Sequence, residues 1–129
     1  MRLDGRVFQN NRKVAVSLVP TILRIFRQWN LSEQQQVTLL GLGDGQALAL
    51  LSQQPEEMLL DRHFLERSSY VLGIYKVLQA LLPDADIADA WLNKPNDNPL
   101  FNGTAPLQRM LSGRIDDLAA VRKHLENQL

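Results

Sequence analysis

A chain of 129 residues, 45% hydrophobic and 22% charged, is the size of one domain or of two small helical subdomains sharing a core, and it is too apolar for wholesale disorder. Lys and Arg number 14, as do Asp and Glu, so the zero net charge gives no global pull toward nucleic acid or an anionic membrane. The absence of cysteine excludes disulfides, thiol nucleophiles and cysteine metal sites.

The charge is unevenly spread. Arg2, Arg6, Arg12, Lys13, Arg24 and Arg27 face only Asp4 in the first thirty residues. Glu33, Asp44, Glu56, Glu57, Asp61 and Glu66 then face only Arg62 before Arg67. This suggests a basic arm on a less basic body, or equally a solvated tail. The apolar stretch from Val14 to Leu23 is interrupted by Pro20 and lacks a small-residue cleavage site, so no secretion leader or membrane span is expected, and a cytoplasmic address fits.

Residues 1–13 read as irregular. A first helix is expected from about Ser17 to Trp29, with Pro20 in its first turn and Leu18, Ile22, Phe26 and Trp29 at helical spacing. Ser32 and Gln35 form a capping-box pattern for a helix carrying Val37, Leu39 and Leu40, which Gly41-Leu42-Gly43 ends. Asp44 caps a helix from Gln46 to about Gln53, and Pro55 stops it. A longer helix opens at Asp61, its buried stripe running Phe64, Ser68, Val71, Tyr75, Leu78, Leu82. Asp86 is the expected cap of a short helix through Trp91 and Leu92.

The segment from Asn93 to Pro99 is dense in turn formers. Pro106 fits the first position of a helix reaching Leu111, with Thr104 as cap, and Ser112-Gly113 ends it. The last helix starts near Asp116, with Leu118, Val121, Leu125 and Leu129 on its buried face. No segment alternates as a strand would. The expectation is an all-α bundle of six or seven helices, with an N-terminal helical part over 1–60 and a C-terminal part over 61–129. Ile25, Phe26 and Trp29 give the N-terminal helices more apolar bulk than one thin layer covers, which predicts a homodimer.

The hairpin of two short helices joined by Leu42-Gly43-Asp44 has the size of a helix-turn-helix. On that reading Gln46, Gln53 and Gln54 face base edges, while Arg12 and Lys13, or Arg24 and Arg27, supply phosphate contacts from the arm and first helix. The competing reading is a hairpin that only packs or dimerises. His63 and His124, the only histidines, belong to no metal-spaced cluster, so no metal or cofactor is expected. Ser68-Ser69 has neither elbow glycines nor an assignable base, and nothing supports a catalytic constellation.

The long connection after Trp91 needs a reason, because helical connections are usually short. Its asparagines donate and accept hydrogen bonds at a partner surface, and its prolines stiffen it. Asn93, Pro95, Asn96, Asn98, Leu100, Asn102 and Gly103 are therefore the candidate interface. Asn96, Asn98 and Asn102 should be exposed and replaceable by Ala without changing the melting temperature. Trp91, Leu107, Leu111, Leu118 and Val121 should be mostly buried.

The string Trp91-Leu92-Asn93, Pro95-Asn96, Leu100, Gly103, Pro106-Leu107, Leu111 and Gly113 resembles the toxin-binding domain of the Xre/MbcA/ParS-like antitoxins. Trp29, Leu31-Ser32, Leu39-Leu40-Gly41 and the helix through Tyr75 are similar to that family's Xre-like N-terminal helices. The resemblance implies a non-enzymatic antitoxin of a type II toxin–antitoxin pair, one that covers the active-site entrance of an NAD-consuming RES-type toxin and represses its own promoter. It makes 61–129 the toxin-binding part, the 93–103 residues its toxin interface, and Trp91, Pro106, Leu107, Leu111 and Gly113 its structural motif. Many relatives carry basic residues in the second short helix, where this chain has Gln46-Ala47-Leu48-Ala49-Leu50-Leu51. A helix-turn-helix regulator without a toxin, or a helical adaptor, is the alternative.

Overall fold

A computed structural model describes residues 5–57 and 60–129, with side chains described for 13–56 and 60–129. The described residues form seven α-helices and no strand. They are α1 (Gly5–Gln28), α2 (Glu33–Leu40), α3 (Gly45–Gln53), α4 (Arg62–Leu81), α5 (Ala85–Trp91), α6 (Pro106–Met110) and α7 (Ile115–Glu126), with one 3-10 turn at Pro55–Glu57.

The first helix departs from the sequence reading. It spans 24 residues and runs straight through Pro20, so residues 5–13 are helical and not an irregular arm, while 1–4 lie outside the described residues. An internal proline removes one amide and strands the carbonyl four residues back. Here Pro20 is exposed, and Val16, which carries that carbonyl, is 58% exposed. The defect thus sits on the solvent side. The opposite face buries Ala15, Val19, Ile22, Ile25, Phe26 and Trp29, at the steps of three and four that a helix requires.

That burial corrects the argument from bulk. Ile25, Phe26 and Trp29 are covered within a single copy of the chain and require no second one. Trp29 lies between Phe26 and Tyr75, at ring-centroid distances of 6.5 and 6.3 Å.

The locally encoded stops and starts are in place. Ser32 and Gln35 complete the capping box of α2. Gly41 ends α2 at φ 67°, in the left-handed region. Asp44 caps α3 through the Ala47 amide, and Asp61 caps α4 through the Phe64 amide. At α5 the cap is Asp84, whose carboxylate accepts from the Asp86 and Ile87 amides, and not Asp86. Pro106 occupies the start of α6 behind Ala105, while the Thr104 hydroxyl donates to the Phe101 carbonyl and caps nothing.

The helix α4 joins the molecule. It packs on α1 and α2 on one side, on α5, and most extensively on α7. Phe64, Ser68, Val71, Ile74 and Leu78 are buried along it, with Tyr75 and Leu82 partly covered. The buried Gly73 lets α7 approach: Arg122 lies across it, over the Tyr70 ring, and is held by Glu126 at 2.7 Å. Leu118, Val121 and Leu125 complete this seam, whereas Leu129, expected on the same face, is 73% exposed beyond the end of α7. One continuous hydrophobic cluster runs from α1 to α7.

Arg67 also crosses between elements. Its Nη2 donates to the Gly113 carbonyl at 2.6 Å while its stem lies over Gly41, so it links the α2–α3 turn to the α6–α7 turn. Gly113 itself sits at φ 87°, where a side chain would be strained.

Candidate functional site

Between α5 and α6 the chain makes a 14-residue connection that is ordered by its own hydrogen bonds. The Asn96 side-chain oxygen accepts from the Asn98 amide, and the Asn98 oxygen from the Leu100 amide, at 2.9 and 3.0 Å. These are side-chain mimics of backbone turns, the reason asparagine suits such positions. The Asn98 carbonyl accepts the Phe101 and Asn102 amides. The Asn96 amide donates to the Thr104 carbonyl, and the Gly103 amide to the Asn96 carbonyl, which closes the loop on itself. Asn102 and Gly103 take positive φ angles of 52° and 82°, as residue types tolerant of the left-handed region do.

Phe101 pegs this loop to the body. It is 2% exposed, with its ring edge-on to Trp91 at 5.7 Å and to His124 at 5.4 Å. Arg109 adds a second tie: Nε donates to the Asp117 carboxylate at 2.8 Å and Nη1 to the Leu100 carbonyl at 3.3 Å. Asp117 is 7% exposed. A hydrogen bond from the Ser112 side chain, and then the Arg109 charge, hold its carboxyl below the ordinary value against the opposing effect of burial.

Two depressions flank the aromatic stack. A hollow of about 520 Å³ is lined by the loop itself, including Leu100, Phe101 and Asn102, and by Arg109 from α6. An apolar one of about 370 Å³ is lined by Leu78, Leu82, Trp91, His124 and Leu125. Neither holds a nucleophile with a partnered base. Among the described residues no group of His, Cys, Asp and Glu is arranged to hold a metal, and no helix is long and apolar enough to cross a membrane. What this surface offers is a mostly uncharged loop held by its own hydrogen bonds.

The expected interface residues divide into two groups. Asn93, Pro95, Asn102 and Gly103 are exposed, whereas Asn96, Asn98 and Leu100 are half-buried. The expectation that Asn96 and Asn98 are free surface groups is corrected, because both carry the turn hydrogen bonds of the loop. Pro106 and Leu107 are buried, with the Leu107 amide bonded to the Leu92 carbonyl. Trp91 and Leu111, expected in the core, are only half-buried; Trp91 serves as a wall for Phe101, and the core tryptophan is Trp29.

Phe101, Arg109 and Asp117 are not among the residues singled out by sequence, and His124 is weighed there only as a metal ligand. Phe101 left one trace, as the lone aromatic in a polar run. The Arg109–Asp117 pair left none, since its eight-residue separation spans a turn and matches no helical period.

The residues considered for DNA contact are spread over two elements. Lys13 is exposed on α1, and Arg12 belongs to α1 with its side chain outside the described residues. Gln46 and Gln53 are exposed on α3, which packs against α1. The start of α3 is ringed by carboxylates: Asp44 caps it, and Glu33 reaches over Gly45 so closely that a Cβ there would lie 2.8 Å from its Oε1.

Residues 77–128 match the model of the antitoxin Xre/MbcA/ParS C-terminal toxin-binding domain. That range begins within α4 and takes in the whole of α5, the loop, α6 and α7. The uncharacterized protein y4oB of Sinorhizobium fredii is 35% identical over 105 residues, covering 81% of this chain and 78% of the relative.

Proposed function

Because the chain belongs to the Xre/MbcA/ParS antitoxin family and carries its C-terminal toxin-binding domain, we propose that it neutralises an NAD-consuming toxin of the RES type by covering the toxin's active-site entrance. The observation that carries this reading is the loop between α5 and α6, held in one conformation by its own hydrogen bonds and by Phe101 before any partner arrives. A pre-ordered surface loses little conformational entropy on docking. The contacts come from the exposed Asn93, Pro95, Asn102 and Gly103 and from the half-buried Leu100 beside the 520 Å³ hollow. Asn96 and Asn98 act by shaping the loop.

The toxin-binding part is assigned to 61–129 and the hairpin part to 1–60, with α4 serving both. Consumption of NAD by such a toxin supports a cytoplasmic address for the pair. No catalytic step is assigned to this chain. The test is co-expression with the toxin encoded beside it, reading growth and cellular NAD. Asn93→Arg with Pro95→Arg alters only exposed side chains, so the chain should melt normally yet fail to protect NAD. Full protection by that variant removes the loop from the interface.

Repression of its own promoter is the second part of the proposal. The exposed Gln46 and Gln53 on the second helix of a short hairpin support it. Glu33 and Asp44 at the start of α3 weigh against it, since that end faces DNA in a helix-turn-helix. A mobility shift with DNA from upstream of its gene decides, and no retardation at low salt rejects this part alone.

A further inference from the structure

We propose that Arg67 couples the α5–α6 loop to the α2–α3 turn, so that displacing one changes how firmly the other is held. The coupling concerns contacts within this chain; only its use as a signal of toxin docking rests on the proposed function.

The first observation is where Arg67 ends. From α4 its Nη2 donates to the Gly113 carbonyl at 2.6 Å, 46 residues along the chain. Its stem covers Gly41 so closely that a Cβ there would lie 2.8 Å from Nε and 3.0 Å from Cδ. Gly41 closes α2 at φ 67°, with its amide on the Thr38 carbonyl and the Leu42 amide on the Val37 carbonyl. Gly113 follows α6 at φ 87°. One guanidinium thus lies between the C-terminal ends of two helices, where carbonyls lack intrahelical partners and a cation is favoured.

The second observation is what Arg67 lacks. It has no ion pair among the described residues, and its Nη1 is buried without a hydrogen-bond partner. Burying an unmatched donor destabilises, and an aliphatic side chain would pack there without that cost. Among the described residues its one hydrogen bond is to Gly113. The side chain is therefore held by the two turns it touches, and a shift of either loosens it from the other. A hollow of about 300 Å³, bordered by Leu40, Gly41, Leu42, Phe64 and Arg67, gives the turn and the side chain room to part.

The third observation is the continuation of this tie into the loop. Ser112, beside Gly113, accepts the Arg114 amide through Oγ at 3.1 Å and hydrogen-bonds to Asp117. The Asp117 carboxylate accepts from Arg109 Nε at 2.8 Å, and Arg109 Nη1 donates to the Leu100 carbonyl at 3.3 Å. Each link from Leu100 to Gly41 is thus a direct contact or a peptide bond. Neither α2 nor α3 packs extensively on α6 or α7, so this polar line supplements α4 as the connection between the hairpin and the loop. Contiguity becomes coupling only if moving one end alters the other.

Amide hydrogen exchange on the full chain tests this, with the Gly41 and Leu42 amides as reporters and the Trp29 amide, bonded to the Ile25 carbonyl at 2.9 Å, as control. In Gly113→Val the new Cβ meets no atom within 4 Å, yet a β-branched residue is strongly disfavoured at positive φ, so the backbone turns and carries the carbonyl off Arg67. Exchange at Gly41 and Leu42 should then quicken at least ~5-fold with Trp29 unchanged. Gly113→Asn, which tolerates the left-handed region, should change neither. In an Arg67→Met or Arg67→Gln background, Gly113→Val should add nothing at the two reporters, because the side chain that carries the effect is gone. If Gly113→Val does not fold, Arg109→Gln, which frees the Leu100 carbonyl and the Asp117 carboxylate, takes its place with the same expectation. No quickening in the chain with Arg67 intact overturns the proposal, as does quickening that persists without Arg67 or that Trp29 shares equally. A coupled chain that nevertheless fails to protect cellular NAD keeps this inference and rejects the toxin-binding reading instead.

Discussion

Replacing Phe101 by alanine removes the side chain that ties the α5–α6 loop to the body of the protein. The ring is 2% exposed and has two edge-on aromatic neighbours, Trp91 and His124. Burial of this quality makes a Phe→Ala change cost about 3–5 kcal/mol. The site lies at the edge of the fold, where the loop is free to collapse inward, which argues for the low end, about 3 kcal/mol. For a chain of this length that corresponds to a fall in melting temperature of roughly 10 °C. Phe101→Leu keeps most of the volume and loses only the edge-on contacts, each worth about 0.5–1.5 kcal/mol, so it should fall by roughly half as much or less. Amide hydrogen exchange locates the damage. The amides of Asn98, Leu100, Phe101, Asn102, Gly103 and Thr104 are bonded within the loop and should lose protection in both variants before those of Leu118 and Val121 do. Toxin neutralisation should fall in step with loop protection and not with melting temperature. If Phe101→Ala melts within about 2 °C of the parent and its loop amides stay protected, Phe101 is not the anchor and the ordering of the loop has another source.

Asp117 titrates below its ordinary value, so its contribution to stability is present above about pH 4 and is lost as pH falls through the depressed folded value. Asp117→Asn should therefore melt lower than the parent at pH 7, with the gap closing in acid; a gap that stays constant from neutral pH down to about 2 shows that the charge is not what Arg109 and Ser112 hold. Asp89 carries the opposite sign. Burial first, and the Asp86 charge second, raise its carboxyl, and its Oδ1 is buried without a hydrogen-bond partner. Its ionised form thus destabilises the fold above the ordinary carboxylate range, and Asp89→Asn should raise the melting temperature at pH 7 with the gain vanishing in acid, which paired melts at pH 7 and about 3.5 check. Gly73→Leu should push Arg122 off the Tyr70 ring and part α4 from α7, since even a Cβ would lie 2.5 Å from Arg122 Nε. A loss of about 1–3 kcal/mol in urea unfolding is expected, and an unchanged midpoint means that the two helices do not depend on that approach.

What the sequence disclosed was what short-range chemistry determines. Ser32 with Gln35, Gly41, Asp44, Asp61 and Pro106 each act on amides or carbonyls within four residues, so their effects are written locally. The stripes of α4 and α7 were legible for the same reason, apart from Leu129, which lies past the end of its helix. Pro20 was misread because the cost of an internal proline depends on which side of the helix faces water, and that is decided by packing with distant elements. Trp29 and Trp91 both sit on helices, and only the tertiary arrangement sends one into the core and leaves the other half-covered as a wall for Phe101. The loop shows the same division in its most consequential form. Its run of asparagines pointed to a partner surface because asparagine donates and accepts freely. The fold turns two of those side chains, Asn96 and Asn98, back onto their own backbone. A polar loop therefore has two uses for one residue type, shaping itself and meeting a partner. The outward-facing set that remains, Asn93, Pro95 and Asn102, is small and uncharged. If that set meets the toxin as proposed, recognition rests on shape more than on charge, so the affinity of the pair should change less than ~10-fold between about 50 mM and 1 M salt, and a steep loss over that range would refute it.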